Sequence, residues 1–217
     1  MSLQKNLVIM AKAPRIGRVK TRLAYGVGRI AAWSFYRRTL AEVSRRLAND
    51  PRWQTRLAVS PGPSVCQSRI WPVNCMRMAQ GEGDLGQRMG RVMAGMPPGP
   101  VVIVGADIPD IYPFHIAAAF DAIGRNDAVF GPADDGGYWL VGLKRRPVIP
   151  EIFSDVRWST QHALRDTCAN LPASASVSYL ETLSDVDDAA DLVRQARRTR
   201  VHSARCLVPA FDGSGRD

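Results

Sequence analysis

VVIVGADIP, residues 101–109, is the stretch that decides the fold. Val101, Val102, Ile103 and Val104 are all β-branched and follow one another without a polar break. A strand with one wet face alternates apolar and polar residues, whereas an unbroken run suits a parallel strand covered on both faces. In open sheets of that kind, ligands sit beyond the carboxyl ends of the strands. Asp107 stands just past the run, and Pro109 stiffens the turn that carries it. A carboxylate there can hold Mg²⁺ or Mn²⁺, both oxygen-seeking ions. Asp110 reads as a cap for a helix opened by Pro113.

Outward from this strand the chain alternates strands and helices. Residues 6–10 form a short apolar run, read as another buried strand. After a basic loop, residues 27–48 carry a helical pattern through Ile30, Ala31, Ser34, Phe35, Leu40, Val43 and Leu47. Residues 55–60 read as a strand, 76–79 as a weak one, and 84–96 as a helix. Residues 113–123, near 160–170 and 189–198 read as helices, and 128–130 and 138–143 as strands. The pattern predicts an α/β fold: a three-layer α/β/α sandwich with a mostly parallel sheet. The length, 217 residues, suits a single domain over 1–217 with its core in about 6–198. The tail from 199 shows no clear pattern, and Met1-Ser2-Leu3 is read as an expression scar.

Composition narrows the function classes. The chain is 46% hydrophobic and 23% charged, ordinary for a globular protein. No apolar run approaches the roughly 20 residues of a membrane helix, and Leu7–Ala11 is too short for a signal-peptide core. The expected location is the cytoplasm, with no membrane partner. The four cysteines, Cys66, Cys75, Cys168 and Cys206, are scattered, so a disulfide framework or zinc site is not expected. The net charge of +9 is concentrated. Residues 1–56 hold 13 Lys/Arg against Glu42 and Asp50, while the rest of the chain holds 16 against 18 acids. An anionic partner at the N-terminal quarter follows, either a nucleotide or nucleic acid. Arg37, Arg38, Arg45 and Arg46 read equally well as a solvated helix face.

Five segments carry candidate chemistry. Residues 11–23, AKAPRIGRVKTRL, bring Lys12, Arg15, Arg18, Lys20 and Arg22 close behind the first strand, with Gly17 letting backbone approach a ligand. Phosphate oxygens suit that place, although no Walker A pattern is present. Residues 80–86, QGEGDLG, formally match G-x-G-x-x-G, with Asp107 at roughly the spacing of a ribose-binding acid. A dinucleotide dehydrogenase is therefore a rival, set against a plain glycine turn capped by Asp84. Asp107 is the third. The fourth is residues 131–143, GPADDGGYWLVGL, where Asp134 and Asp135 follow a strand and Gly136-Gly137 make room for a ligand, with a common β-turn as the plain alternative. The fifth, residues 184–192, holds Asp185 and Asp187, each read first as a helix cap and second as a metal ligand. Trp158-Ser159-Thr160 reads as a cap or a substrate contact. His115, His162 and His202 lie outside all five.

In this order, K-A-P-x-x-G-x-x-K-T-R-L, Q-G-E-G-D-L-G, G-A-D-I-P, G-P-A-D-D-G-G-Y-W, W-S-T and D-V-D-D-A-A-D-L resemble a bacterial family provisionally assigned as nucleotide-diphospho-sugar transferases. It began as a domain of unknown function, and its members are often named as glycosyltransferases of arsenosugar synthesis. The chain is similar, more distantly, to phospholactate guanylyltransferase and to molybdenum-cofactor nucleotidyltransferases. The resemblance implies a glycosyltransferase A-type fold, with the first loop on the nucleotide, Asp107 on a divalent ion and Asp187 as a second metal carboxylate. The chain departs from the related nucleotidyltransferases by carrying Asp188-Ala189-Ala190 where Thr-Pro-Glu is usual. It also carries Ala106 and Ile108 where Ser and Cys are commoner.

The reading reached is a metal-dependent transferase that moves a sugar from a nucleotide-diphospho-sugar to a small acceptor. Ala11, Lys12, Pro14, Gly17, Arg18, Lys20, Arg22, Gln80 and Asp84 are the nucleotide-binding candidates. Asp134, Gly136, Gly137, Trp158 and Ser159 are the substrate-binding candidates. Asp107 and Asp187 would hold Mg²⁺ or Mn²⁺, and Asp135 would be the base for the acceptor hydroxyl. The first alternative is nucleotidyl transfer from a nucleoside triphosphate to a phosphorylated acceptor. The second is a nucleic-acid binder using the basic quarter.

Overall fold

In the computed structural model the chain is described over residues 3–71, 75–145 and 149–206, with side chains to 198. Met1-Ser2 and the tail beyond Cys206 lie outside the described residues. Seven strands form one open sheet: β1 (Asn6–Lys12), β2 (Gln54–Ser60), β3 (Met76–Ala79), β4 (Val101–Gly105), β5 (Ala128–Pro132), β6 (Tyr138–Leu143) and β7 (Val177–Tyr179). Their order is β3-β2-β1-β4-β6-β5-β7. All neighbours are parallel except β6, which runs antiparallel to both β4 and β5. The register aligns Ile9 with Leu57 on one side and with Val104 on the other.

The unbroken apolar runs are explained by burial on both faces. Leu7, Ile9, Val102 and Val104 pack with Leu40, Val43, Leu47, Ile116 and Phe120 on one face. These come from α2 (Arg29–Ala48) and α4 (Pro113–Arg125). Val8, Val101 and Ile103 point the other way, toward Met89, Val92 and Met93 of α3 (Leu85–Ala94) and Leu164 of α5 (Ala163–Ala169). Alternation along each strand thus feeds two separate helix layers. α1 (Thr21–Val27) and α6 (Ala189–Cys206) touch at one edge, closed by Leu23, Ala32 and Val186.

Three expectations change. The helix expected over 27–48 is α2, and a short helix not read from the sequence, α1, precedes it and ends at Gly28, which takes φ 86° and ψ 155°. The buried stripe of α2 is Ala32, Tyr36, Thr39, Leu40, Val43 and Leu47, and Ile30 is 70% exposed. Strand β7 has only three residues, too few to show a period, and is fixed by pairing with β5. Finally, α6 runs on to Cys206, past the point where the sequence lost its pattern.

The strand order has a direct consequence. From β1 the chain steps outward to β2 and β3 on one side and to β4 on the other. A crevice opens where the order reverses, beyond the carboxyl ends of β1 and β4. Lys12 and Asp107 stand at those ends.

One packing contact is tight enough to test the arrangement. A methyl on Gly142 would come within 2.7 Å of Ile123 Cδ1 and of Val129 Cγ1. Gly142→Ala is expected to cost about 1–3 kcal/mol, a fall in melting temperature of roughly 3–10 °C. A thermal melt followed by circular dichroism checks it.

Candidate functional site

The site is built around one ammonium group. Lys20 precedes α1 in the left-handed region, with φ 44° and ψ 50°, a conformation uncommon for a residue with a side chain. That turn sends its side chain inward, where it is only 5% exposed. Nζ lies 2.8 Å from Asp107 Oδ2, 2.9 Å from Asp187 Oδ1 and 3.8 Å from Asp185 Oδ2. Arg22 reaches the other oxygen of Asp187 at 3.0 Å. Burial alone would lower the Lys20 pKa, but the facing Asp107 and Asp187 carboxylates outweigh it and hold the group charged. Asp185 is pushed up to about 7, first by burial and then, against the pull of Lys20, by the neighbouring acids Asp187 and Asp107. Burial also works on Asp187, but its contacts with Lys20 hold it low.

Each partner is positioned by the fold. Asp107 follows β4. Arg46, from α2, braces the turn after it, donating to the carbonyls of Pro109 at 2.9 Å and Ile111 at 2.7 Å while stacking over Tyr112. Asp110 accepts from Gln195 Nε2 at 2.7 Å, so it ties this turn to α6 instead of capping α4. The expected caps at Asp185 and Asp187 also shift. Asp188 caps α6, accepting from the Asp191 N–H, and Asp191 in return accepts from the N–H groups of Asp187 and Asp188. That frees Asp185 and Asp187, two residues apart on an extended segment, to face Lys20 together.

Two cavities flank Asp107. The first, about 310 Å³, lies over the end of β1 and is lined by Ala11, Lys12, Arg18, Lys20, Tyr36 and Gln80 among others. Tyr36 pins its floor, since its hydroxyl accepts from the Lys12 N–H at 2.8 Å and donates to the Lys12 carbonyl at 2.9 Å. Gln80 donates to the carbonyls of Ala11 and Ala58, joining β1 to β2. Among the described residues, Lys12 and Arg18, which line this cavity, and Arg15 of the same loop have no carboxylate partner, so these cations remain available to an anion. The second cavity, about 250 Å³, lies under the turn between β5 and β6 and is lined by Asp135, Gly137, Tyr138, Trp158, Ser159 and Asp185 among others. Met10, Leu85 and Asp107 belong to both.

Other candidate residues fall elsewhere. Pro14 is buried and its carbonyl accepts from Trp33 Nε1 at 2.7 Å. Gly17 takes φ 71° in the basic loop but lines neither cavity. Asp84 caps α3 in a reciprocal pair with Gln87. Its own carboxylate occupies the helix start where a dinucleotide's pyrophosphate would have to sit. Asp134 is bonded by the Ser184 hydroxyl and faces neither cavity. Gly136, at φ 83°, lets the turn press against residue 161, where a methyl would come within 2.6 Å of Gln161 Cα. Thr160, by contrast, lines the second cavity beside Ser159, while its hydroxyl closes its own turn by donating to the Arg157 carbonyl. His115 is buried against Glu181 at 2.7 Å, away from both cavities. The basic quarter is partly spent within the protein, through Arg22, Arg46, the Arg52–Asp50 pair and Arg56 on Asn6.

The carboxylate oxygens of Asp107, Asp185 and Asp187 are hard donors of the kind Mg²⁺ or Mn²⁺ takes, and their centre is filled by the Lys20 ammonium. Among the described residues no three such groups stand as a ready cage, because the carboxylates are spaced around Nζ. No helix among them is long and apolar enough to cross a membrane.

Comparison with known proteins gives a family and a fold. The family described as "Uncharacterized protein conserved in bacteria (DUF2064)" matches residues 40–160. A crystal structure from Desulfovibrio desulfuricans G20, provisionally described as a nucleotide-diphospho-sugar transferase, is 31% identical with a TM-score of 0.84, covering 94% of this chain and 91% of that one. The 4-diphosphocytidyl-2C-methyl-D-erythritol synthase of Anaerococcus prevotii DSM 20548 shares the fold at 12% identity and a TM-score of 0.57, covering 91% and 98%. The manganese complex of Rv0371c from Mycobacterium tuberculosis H37Rv does so at 17% and 0.54, covering 89% and 98%. No curated protein matches the chain.

Removing the central cation leaves three facing carboxylates. Lys20→Met is expected to lower the melting temperature at pH 7.5 by a few degrees, about 1–2 kcal/mol, because the acids are only partly buried. Asp187, held low, stabilises the wild type above its unfolded value and loses that contribution as pH falls through its folded one. The gap between the two proteins should therefore persist down to about pH 4 and close only below it, which melts across a pH series would show.

Proposed function

The chain belongs to the DUF2064 family, and from that premise we propose that it is a transferase taking a sugar from a nucleotide-diphospho-sugar to a small acceptor. The observation that carries this reading is the meeting of the two cavities at Asp107, with unpaired cations on one side and carboxylates with aromatic rings on the other. The D. desulfuricans relative supports the donor class, and the manganese bound by Rv0371c supports a divalent ion.

The first cavity would take the nucleoside diphosphate. Lys12 and Arg18 would bond its phosphate oxygens, with Arg15 and Arg22 at the rim. Tyr36 and Gln80 hold the end of β1 in place, so the Lys12 backbone needs no reorganisation on binding. Asp107, Asp185 and Asp187 would hold Mg²⁺ or Mn²⁺, which supplies charge compensation for a leaving diphosphate. Lys20 keeps those three acids gathered. In the second cavity, Asp135 has one oxygen fixed by the Gly137 N–H at 2.9 Å. Its other oxygen would accept the proton of the acceptor hydroxyl as that oxygen bonds to the sugar carbon and the diphosphate departs. Trp158 and Ser159 would position the acceptor.

A melting screen of nucleoside diphosphate sugars with Mn²⁺ tests the reading. A donor present at about 100 times its dissociation constant should stabilise by about 2.7 kcal/mol, and EDTA should abolish the shift. Asp107→Asn should lose the metal-dependent shift while keeping the wild-type circular dichroism spectrum. If a nucleoside triphosphate instead releases pyrophosphate with a phosphorylated acceptor, the reaction is nucleotidyl transfer. Protection that ignores EDTA would remove the metal from the account.

A further inference from the structure

The carboxylate cluster already holds a cation from its own chain. Lys20 Nζ lies 2.8 Å from Asp107 Oδ2 and 2.9 Å from Asp187 Oδ1, with Asp185 Oδ2 at 3.8 Å. An ammonium group and a divalent ion seek the same partners, carboxylate oxygens at short range. An ion drawn to Asp107 Oδ2 and Asp187 Oδ1 meets the two oxygens that hold Nζ. Two cations in that space would repel strongly, because a nearly buried position has little water to screen them. Arg22 raises no such conflict. Its guanidinium is mostly exposed and reaches the other oxygen of Asp187 from outside.

Lys20 also has a second place to bond. It lines the first cavity together with Lys12 and Arg18, while Asp107 lines both cavities. A lysine is a compact point charge on a flexible four-carbon stem, so its ammonium can change partners while the backbone stays put. Phosphate oxygens in the first cavity would offer that ammonium partners as strong as the carboxylates it leaves.

We propose that Lys20 is a built-in occupant of the metal position: a divalent ion enters by displacing its ammonium, which then joins Lys12 and Arg18 against the donor's phosphates. In the free protein the acids keep a counter-ion of their own. With ion and diphosphate bound, each charged group still faces the opposite sign. The ion takes the carboxylates from Lys20 and the phosphates take its ammonium, so each ligand favours the other's binding, and the coupling is reciprocal. The inference deepens the transferase reading, on which it rests for the ion and the diphosphate, and gives Lys20 the role of coupling them.

The test is a titration of the full chain with Mn²⁺ alone, free ion being read by its electron paramagnetic resonance signal. Lys20→Met should bind Mn²⁺ at least about tenfold more tightly than the wild type, because the competing occupied state is gone. Adding Asp107→Asn to that variant should remove the gain. A lysine that merely held the acids in place would give the reverse, since its loss would loosen the cluster. Equal or weaker binding by Lys20→Met overturns the inference and leaves the ion in the transferase reading, whereas no binding by either protein removes both. A second readout uses the wild type. The sequence has four lysines, Lys5, Lys12, Lys20 and Lys144, so ¹⁵N NMR of their ammonium groups gives a simple spectrum in which Lys20 is the signal that Lys20→Met lacks. Saturating Mg²⁺ should shift or broaden that signal, and a Lys20 signal unchanged at saturation overturns the inference.

Discussion

The structure depends on the placement of a single ammonium group. Lys20 is held in a left-handed backbone turn, nearly excluded from water, and surrounded by the carboxylates of three residues from two distant segments. Without a cation at their centre, Asp107, Asp185 and Asp187 would repel one another across a partly buried space. With it, the end of β4, the segment before α6 and the basic loop after β1 are drawn to one point. The backbone strain at Lys20 and the raised pKa of Asp185 are both consequences of that gathering. Sites that bind charged ligands carry such costs because the ligand later relieves them.

Around that point the fold divides the work electrically. The reversal of strand order between β1 and β4 opens the crevice, and the chain's charge is distributed across it. One side takes unpaired cations from the N-terminal quarter, and the other takes acids and aromatic rings from the hairpin of β5 and β6. Arg46 shows how the rest of the basic quarter is used. It looks like part of a solvated arginine face in sequence, yet its guanidinium holds two carbonyls of the turn behind Asp107. A nucleic-acid surface would need those cations free. The dehydrogenase reading fails on a similar detail, since Asp84 already fills the start of α3.

Much of this was legible in sequence because burial writes unbroken apolar runs. The strands at 6–10, 101–105 and 138–143 follow from apolar runs and the one at 55–60 from alternation, and Asp107 follows from its place after one of them. Other features were not legible, for physical reasons. The seven residues of α1 bury Leu23 and show no helical period. The three residues of β7 are too few to carry a period. Asp185, Asp187 and Asp110 looked like caps because capping is a local rule, whereas their actual partners, Lys20 and Gln195, lie far off in sequence. The spacing of Asp185 and Asp187 did hold a signal, since residues two apart on an extended chain share a side. Tyr36 left no such trace, because its hydroxyl's bonds to Lys12 appear only once α2 is docked.

The most direct measurement is a crystal structure of the chain with Mn²⁺ and a nucleoside diphosphate sugar, with the ion located by its anomalous scattering. The account predicts one manganese peak within coordination distance of Asp107 and of Asp185 or Asp187, with diphosphate against Lys12 and Arg18. A manganese peak away from all three acids, or a nucleotide lying along Arg37, Arg38 and Arg45 of α2, would contradict it.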